Sequence, residues 1–532
     1  MARIHVYDST LRDGAQAQGI SYSVEDKIKI VERLDELGVS YIEAGNPGSN
    51  PKDLEFFKRV GALRLKHARI IAFGSTRKVG IAAAEDSNVQ SLIQAGTQAI
   101  AIFGKSWDYQ VTEILRTTLD ENLLMIGDTI RTLKQLGKEV VFDAEHFFDG
   151  YKANPAYALQ TLAAASEAGA DSLCLCDTNG GSFPSEIFAI VKEVADRFKV
   201  AVGIHCHNDG EMAVANSVMA VQAGATQVQG TINGIGERCG NANLCSILPN
   251  LQIKLGFDCI PAHCMAHLTS LARFVSEITN NLHNEKAPYV GNDAFSHKGG
   301  MHIDAVTKSP ISYEHIDPAL VGNNRRLLMS EVAGRSTLLA KINAIDPTLS
   351  KDSPETQKIV DRLKELEHEG YQFESAESSF ELVVRKLLGK YRPFFELKEF
   401  KVIVNEPSVN GINSSAMIKI MVGDQEELTA AEGDGPVNAL DKAVRKALER
   451  FYPAIKTIKL TNYVVRVLDS DKASAAKVRV LIESTDHEKS WTTVGVSTDV
   501  IDASWRALVD SIEYKLVCDL ETDTKRESYG KA

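Results

Sequence analysis

Apolar and polar residues in the first half of the chain follow two alternating patterns. Short runs rich in Val, Ile and Ala occur at Ile4–Asp8, Tyr41–Gly45, Arg69–Phe73, Ala99–Phe103, Val140–Ala144, Ser172–Asp177, Val202–His205 and Gln227–Thr231. Near-continuous apolar runs of this length predict strands buried on both faces, as in a parallel sheet. Between them, apolar residues at helical spacing predict helices such as Val24–Leu37, Leu119–Leu136, Pro155–Ala168, Pro184–Phe198 and Glu211–Ala223. Four of these patterns run into a glycine, at Gly38, Gly137, Gly169 and Gly224, the residue that favours helix termination. Strand and helix alternating over about 250 residues predict an α/β fold, a (β/α)8 TIM barrel. A doubly wound open sheet is the alternative, because periodicity alone does not close a barrel. The first run is not followed by G-x-G-x-x-G, which counts against a dinucleotide fold.

The pattern changes twice after the barrel. The segment from Ile260 to Arg392 reads as mostly helical, with loops near Lys286–Gly300 and Lys308–Asn324 and an amphipathic helix within Ser353–Gly370. The C-terminal part contains a repeat. One unit runs Phe400–Val404, Ala416–Val422, Glu427–Ala431 and helix Pro436–Phe451. The other runs Tyr463–Leu468, Ala476–Glu483, Ser490–Val496 and helix Val500–Leu516. Leu428-Thr429-Ala430-Ala431 aligns with Trp491-Thr492-Thr493-Val494. Neither βββα unit buries its apolar face alone, so the two are expected to pack together. The predicted organisation is a barrel over 1–260, a mostly helical linker over 261–395, an α+β domain built from the βββα repeat over 396–518, and a polar, disordered tail over 519–532.

Composition narrows the function. The chain has 532 residues, 44% hydrophobic and 24% charged, with a net charge of −12. An acidic chain argues against general binding to nucleic acid or to anionic membranes, so an anionic substrate must meet a local cation. No apolar stretch reaches the length of a membrane span, and Met1-Ala2-Arg3 leads directly into a strand without a signal-peptide core. The eight cysteines are scattered, without paired C-x-x-C knuckles. A cytoplasmic protein with reduced thiols is expected.

Chemistry-bearing residues gather past the carboxyl ends of the predicted strands, where barrels assemble their sites. Asp8-Ser9-Thr10-Leu11-Arg12-Asp13-Gly14 follows the first strand, and His205-Cys206-His207-Asn208-Asp209 closes the seventh. Histidines two apart on a strand share a face, so His205 and His207 offer two nitrogens to one ion and Asp13 an oxygen. Such a set suits Mg, Mn, Co or Zn. Arg12 beside Asp13 suits an oxyanion or a substrate carboxylate. Gln16 follows, and Glu43 on the second strand either orients Arg12 or is a satisfied buried polar group. Asn233-Gly234-Ile235-Gly236-Glu237-Arg238-Cys239-Gly240-Asn241 is an anion-site loop or a tight turn, and Asn241 offers a further oxygen. Glu145 and Thr178, past the fifth and sixth strands, are either site residues or caps. His297 and His302 in the linker are proton-transfer groups or solvent-facing histidines.

Together, Leu11-Arg12-Asp13-Gly14-Ala15-Gln16, His205-Cys206-His207-Asn208-Asp209 and Gly234-Ile235-Gly236-Glu237-Arg238-Cys239-Gly240-Asn241 closely resemble the DRE-TIM metallolyase superfamily, and within it the Claisen-condensing branch of 2-isopropylmalate, homocitrate and citramalate synthases. The C-terminal repeat, with Glu432-Gly433-Asp434-Gly435-Pro436-Val437, resembles the branch's allosteric domain. The resemblance implies an acyltransferase condensing acetyl-CoA with a 2-oxo acid on a divalent metal. It implies Asp13, His205 and His207 as ligands with Asn241 as a possible fourth, and Arg12 as the charge-stabilising group. It also implies Glu43 as the glutamate of the family motif, Glu145 as a catalytic acid, and Thr178 against the keto-acid carboxylate, and Arg12, Gln16, Glu43 and Thr178 are expected to bind the substrate. His302 and Tyr313 are similar to linker residues that deprotonate acetyl-CoA, sometimes from a partner subunit. Gln18–Ser23, Glu43–Pro51 and Leu328–Arg335 look most like the pyruvate-using subgroup, which implies a homodimer feeding isoleucine synthesis and an isoleucine effector. Phe73, Phe103 and Asp143 lie near strand ends where they could restrict the pocket. The rival readings are another keto acid, a hydroxymethylglutaryl-CoA-lyase type enzyme, to which Cys239 lends appeal, and a non-catalytic amino-acid sensor.

Overall fold

The computed structural model describes residues 2–48, 51–328, 339, 341–343, 345–350, 353–409, 412–468, 475–486 and 489–529. Of the Leu328–Arg335 stretch only Leu328 is among them, and Ser49 and Asn50 also lie outside. Strands β1 (His5–Asp8), β2 (Tyr41–Glu43), β3 (Arg69–Ser75), β4 (Ala99–Lys105), β5 (Glu139–Glu145), β6 (Ser172–Asp177), β7 (Ala201–Cys206) and β8 (Gln227–Gly230) pair in sequence order. The parallel pairing of β1 with β8, from His5↔Gln227 to Asp8↔Gly230, closes the sheet and excludes the open alternative. Tyr7, Tyr41, Ile71, Ala99, Ala101, Val141, Cys174 and Cys176 fill the inside of the barrel. Ile42, Ile100, Phe142, Leu173 and Ile204 pack outward into the larger core shared with the helices.

Local signals fix the ends of these elements. Helix α1 (Val24–Leu37) begins at Ser23, whose hydroxyl accepts from the Asp26 N–H at 3.1 Å while Asp26 accepts from the Ser23 N–H at 2.9 Å. It ends at Gly38 with φ 90°, a left-handed turn that a side chain would strain. Asp35 on α1 accepts the backbone N–H groups of Lys66, His67 and Ala68, each at 2.8 Å, and so pins the chain entering β3. Strands β4 and β5 run further than their apolar runs, to Lys105 and Glu145, because parallel pairing continues to the register pair Lys105↔Glu145.

The chain divides into two compact units, Met1–Phe295 with Glu314–Arg325, and Ser296–Tyr313 with Arg326–Ala532. In the second unit, β9 (Ser296–His297) and β10 (Arg326–Leu327) form a short parallel pair, too short for the sequence pattern to reveal. The repeat forms two antiparallel sheets, β11 (Glu396–Val409) to β13 (Gln425–Gly433) and β14 (Lys459–Val467) to β16 (Ser490–Ser497). Helices Pro436–Leu448 and Val500–Tyr529 follow the sheets, and the two βββα units share a core that includes Phe395, Ile418, Val444, Trp491 and Trp505. The internal alignment is one residue off the sequence reading. Thr429 and Thr493, not Thr492, are equivalent, donating to the Ala443 and Ala507 carbonyls at 2.9 and 2.7 Å. A one-residue shift turns a strand over, so burial picks the true register. The segment expected as a disordered tail continues the last helix to Tyr529. Residues 521–529 contain neither Gly nor Pro, and Glu521 pairs with Arg385 at 2.7 Å. Among the described residues no helix is long and apolar enough to cross a membrane.

Candidate active site

At the carboxyl end of the barrel, a cavity of about 220 Å³ is lined by residues from seven strand ends or loops. Arg12, Asp13 and Gln16 come from the segment after β1, Phe73 from β3, and Phe103 from β4. Asp143 and Glu145 come from β5, Cys176 and Thr178 from β6 and its loop, His205 and His207 from the end of β7, and Glu237 from the loop after β8.

One donor atom each from Asp13, His205 and His207 lie within 4.8 Å of one another, all in buried residues. The two Nε2 atoms are 3.3 Å apart, and they lie 3.6 and 3.9 Å from Asp13 Oδ2. Burial pushes both imidazoles down to about 4, so both are neutral with lone pairs available at neutral pH. Burial alone would raise Asp13, but Arg12 and the two histidines hold its carboxyl well below the usual range. A deprotonated carboxylate and two neutral imidazoles are the species a divalent ion needs. Asn241 donates Nδ2 to Asp13 Oδ1 at 3.0 Å, and its own buried Oδ1 has no hydrogen-bond partner among the described residues, leaving an oxygen for a further ligand.

Arg12 is fixed from several sides. Its Nη1 donates to Asp13 Oδ2 at 2.8 Å, its Nε to Glu43 Oε2 at 2.5 Å, and its Cζ sits 3.9 Å above the Phe73 ring. Glu43 is fully buried and does not line the cavity. It also accepts from the Tyr7 and Ser9 hydroxyls at 2.7 and 2.5 Å. Glu43 therefore meets both readings, a satisfied buried polar group that also holds Arg12 by its Nε, and its place behind the lining does not fit the expected substrate contact. Phe73 stacks on Phe103 with ring centroids 5.4 Å apart.

Glu145 contacts the Lys105 ammonium. Thr178 Oγ1 accepts the His146 N–H at 2.8 Å. Asp143, in the cavity lining, accepts from Gln229 at 3.0 Å, and burial together with the Glu43 charge pushes it up to about 7. His302 and Tyr313 belong to the second unit, where their rings stack 4.2 Å apart with Tyr313 exposed. Sequence reasoning missed Lys105, Tyr7, Ser9 and the stacking of Phe73 on Arg12. Only Lys105 carried a readable signal, since it and Glu145 end adjacent parallel strands with opposite charge.

Residues 3–275 match the HMGL-like family, 289–371 the homocitrate synthase post-HMGL domain-like family, and 374–516 the LeuA allosteric (dimerisation) domain. The chain is 54% identical to an (R)-citramalate synthase of Aquifex aeolicus, over 98% of this chain and 99% of the relative. It is 52% identical to an (R)-citramalate synthase of Geobacter sulfurreducens, over 97% and 98%. With a 2-isopropylmalate synthase of Methanocaldococcus jannaschii it is 32% identical, over 96% and 94%.

Proposed function

Because the chain belongs to the family of (R)-citramalate synthases, HMGL-like barrels joined to a LeuA allosteric (dimerisation) domain, we propose that its barrel cavity condenses acetyl-CoA with pyruvate and water to (R)-citramalate and CoA. The observation that carries this reading is the buried Asp13, His205 and His207 cluster in one cavity with an oriented Arg12. Asp13, His205 and His207, with Asn241 as a further oxygen, would hold a divalent ion (Mn, Mg, Co or Zn), which would supply Lewis-acid polarisation and a template for the 2-oxo acid.

The side chains divide the remaining work. Arg12, locked by Glu43 and Phe73, presents its guanidinium where negative charge grows on the keto oxygen as the new C–C bond forms. Orientation set before the reaction costs nothing when that charge appears. Thr178 and Gln16 receive the substrate carboxylate, and Glu145, paired with Lys105, serves proton transfer at the product end. His302 with Tyr313 takes the methyl proton of acetyl-CoA. Water then hydrolyses the thioester and CoA leaves. Phe73 and Phe103 wall the keto-acid side chain, which favours methyl over isopropyl. The C-terminal domain serves feedback by isoleucine in a homodimer.

The test is CoA release from acetyl-CoA with pyruvate, 2-oxoisovalerate or 2-oxoglutarate, with Mn or Mg and then with chelator. Pyruvate-dependent release abolished by chelation is expected. Preference for a larger acid overturns the substrate assignment, and release with none of them overturns the synthase reading. His205→Ala is expected to lose both Mn binding in calorimetry and turnover. Turnover that survives the loss of Mn binding refutes the metal mechanism, and Mn binding that survives the substitution removes His205 from the ligand set.

A further inference from the structure

The loops after β6, β7 and β8 are joined at the cavity rim by one side chain. Arg238, in the loop after β8, donates Nε and Nη2 to Asp209 Oδ1 and Oδ2 at 2.8 and 2.9 Å. The same Nη2 donates to the Thr178 carbonyl at 2.7 Å. Asp209 lies two residues beyond His207, and Thr178 lines the cavity. Through the Thr178 hydroxyl the tie extends to His146, which follows Glu145 after β5.

The backbone is shaped for this tie. Arg238 adopts φ 57°, uncommon for a residue with a side chain. At Gly180 (φ 62°) a Cβ would stand 2.7 Å from Asp209 Oδ2 and 2.8 Å from the Asp209 nitrogen, so only glycine lets the β6 and β7 loops meet. There the Gly210 N–H donates to the Gly180 carbonyl at 3.1 Å. An exposed ion pair adds little stability. A planar fork that grips both carboxylate oxygens and a backbone carbonyl of a third loop instead sets geometry.

We propose that Arg238 is a positioning residue for the keto-acid half of the site, fixing Thr178 through its carbonyl and Asp209 so that the Thr178 hydroxyl meets the substrate carboxylate. This rests on the reading of Thr178 given under Proposed function. Arg238 touches no reacting atom; its effect is on where the 2-oxo acid sits. Lysine at this position places one ammonium and cannot hold Asp209 bidentately while reaching the carbonyl, so it replaces the charge but not the geometry.

The experiment is steady-state kinetics of the full-length enzyme with pyruvate and acetyl-CoA varied separately, alongside Mn binding and thermal melting. Arg238→Ala is expected to raise the pyruvate KM about tenfold, with the acetyl-CoA KM and Mn affinity moving less than about twofold. Arg238→Lys should fall between the two, and adding Asp209→Asn to Arg238→Ala should cost nothing further, as for partners in one tie. An unchanged pyruvate KM in Arg238→Ala, equal rises for both substrates, or a parallel loss of Mn affinity overturns the proposal. If Arg238→Ala does not fold, Arg238→Lys and Asp209→Asn carry the same test. Thr178→Ala separates the two layers. If it leaves the pyruvate KM unmoved, the Thr178 reading fails and the proposal with it. If it raises that KM while the Arg238 variants do not, the tie alone fails.

Discussion

Arg12 shows how a buried cation is made usable. Burial disfavours its charge, but Glu43 and Asp13 more than restore it, so the guanidinium stays ionised although it is largely buried. The Phe73 ring beneath it also stacks on Phe103, so the orienting stack and the keto-acid wall share a residue. The two phenylalanines are therefore separable. Phe103→Ala removes wall without touching Arg12 and is expected to shift relative kcat/KM toward 2-oxobutanoate and 2-oxoisovalerate by roughly tenfold to a hundredfold, the range for one or two methylenes in a pocket. Phe73→Ala frees the guanidinium as well and should also lower kcat with pyruvate. Kinetics over a panel of 2-oxo acids checks both. An unchanged preference in Phe103→Ala removes that ring from the wall.

At the scale of elements, the barrel depends on how each strand is entered as much as on the strands themselves. Asp35 joins α1 to the entry of β3 by accepting three backbone N–H groups. Burial alone would raise its carboxyl, yet the N–H groups of Lys66, Ala68 and His67 hold it below the ordinary range. A carboxyl with a depressed folded pKa stabilises the fold above its unfolded pKa, and that contribution is lost as pH falls through the folded one. Asp35→Ala is expected to cost about 2 kcal/mol at pH 7, with the difference from the parent shrinking below about pH 4. Denaturant unfolding at several pH values measures it, and a pH-independent difference would contradict the linkage. This contact was not legible in the sequence, because it spans residues 35 and 66–68 and carries no local pattern. The eight strands were legible because parallel strands buried on both faces read as apolar runs. The site was legible because Arg12, Asp13, His205 and His207 sit in short motifs at strand ends. Closure and the Arg238 tie depend on register between strands far apart in the chain, and the faint β9–β10 pair on two residues each, so none had a signal in one stretch of chain, whereas Lys105 and Glu145 carried one as opposite charges ending adjacent strands. The repeat was legible in outline but misread by one residue, since Thr492 and Thr493 are chemically identical and only burial tells them apart.

At the scale of the whole molecule, the question is what the LeuA domain leaves uncovered. Ile403 and Val404 on β11, Leu428 on β13, and Val464, Val465 and Val467 on β14 are all exposed. Valine-rich edge strands facing water are a liability unless another surface covers them. The match to a dimerisation domain predicts that a second copy supplies the cover. Cutting the domain away is a poor test of this. Ile359 and Leu363 of helix Pro354–Glu369, with Phe380 and Val384 of helix Glu377–Leu387, share a core with Val494 and Val496 of β16, so a cut after Arg392 would fall inside the matched domain and strip these helices of their partners. Point substitution in the full chain avoids that. Val465→Glu places a charge on an already exposed side chain and should leave the fold intact. It is expected to move light-scattering mass from dimer toward monomer, and to weaken the proposed inhibition by isoleucine in parallel if the effector acts through the paired domains. A variant that stays dimeric puts the interface on another face. A monomer that keeps full isoleucine inhibition puts the effector site within one chain.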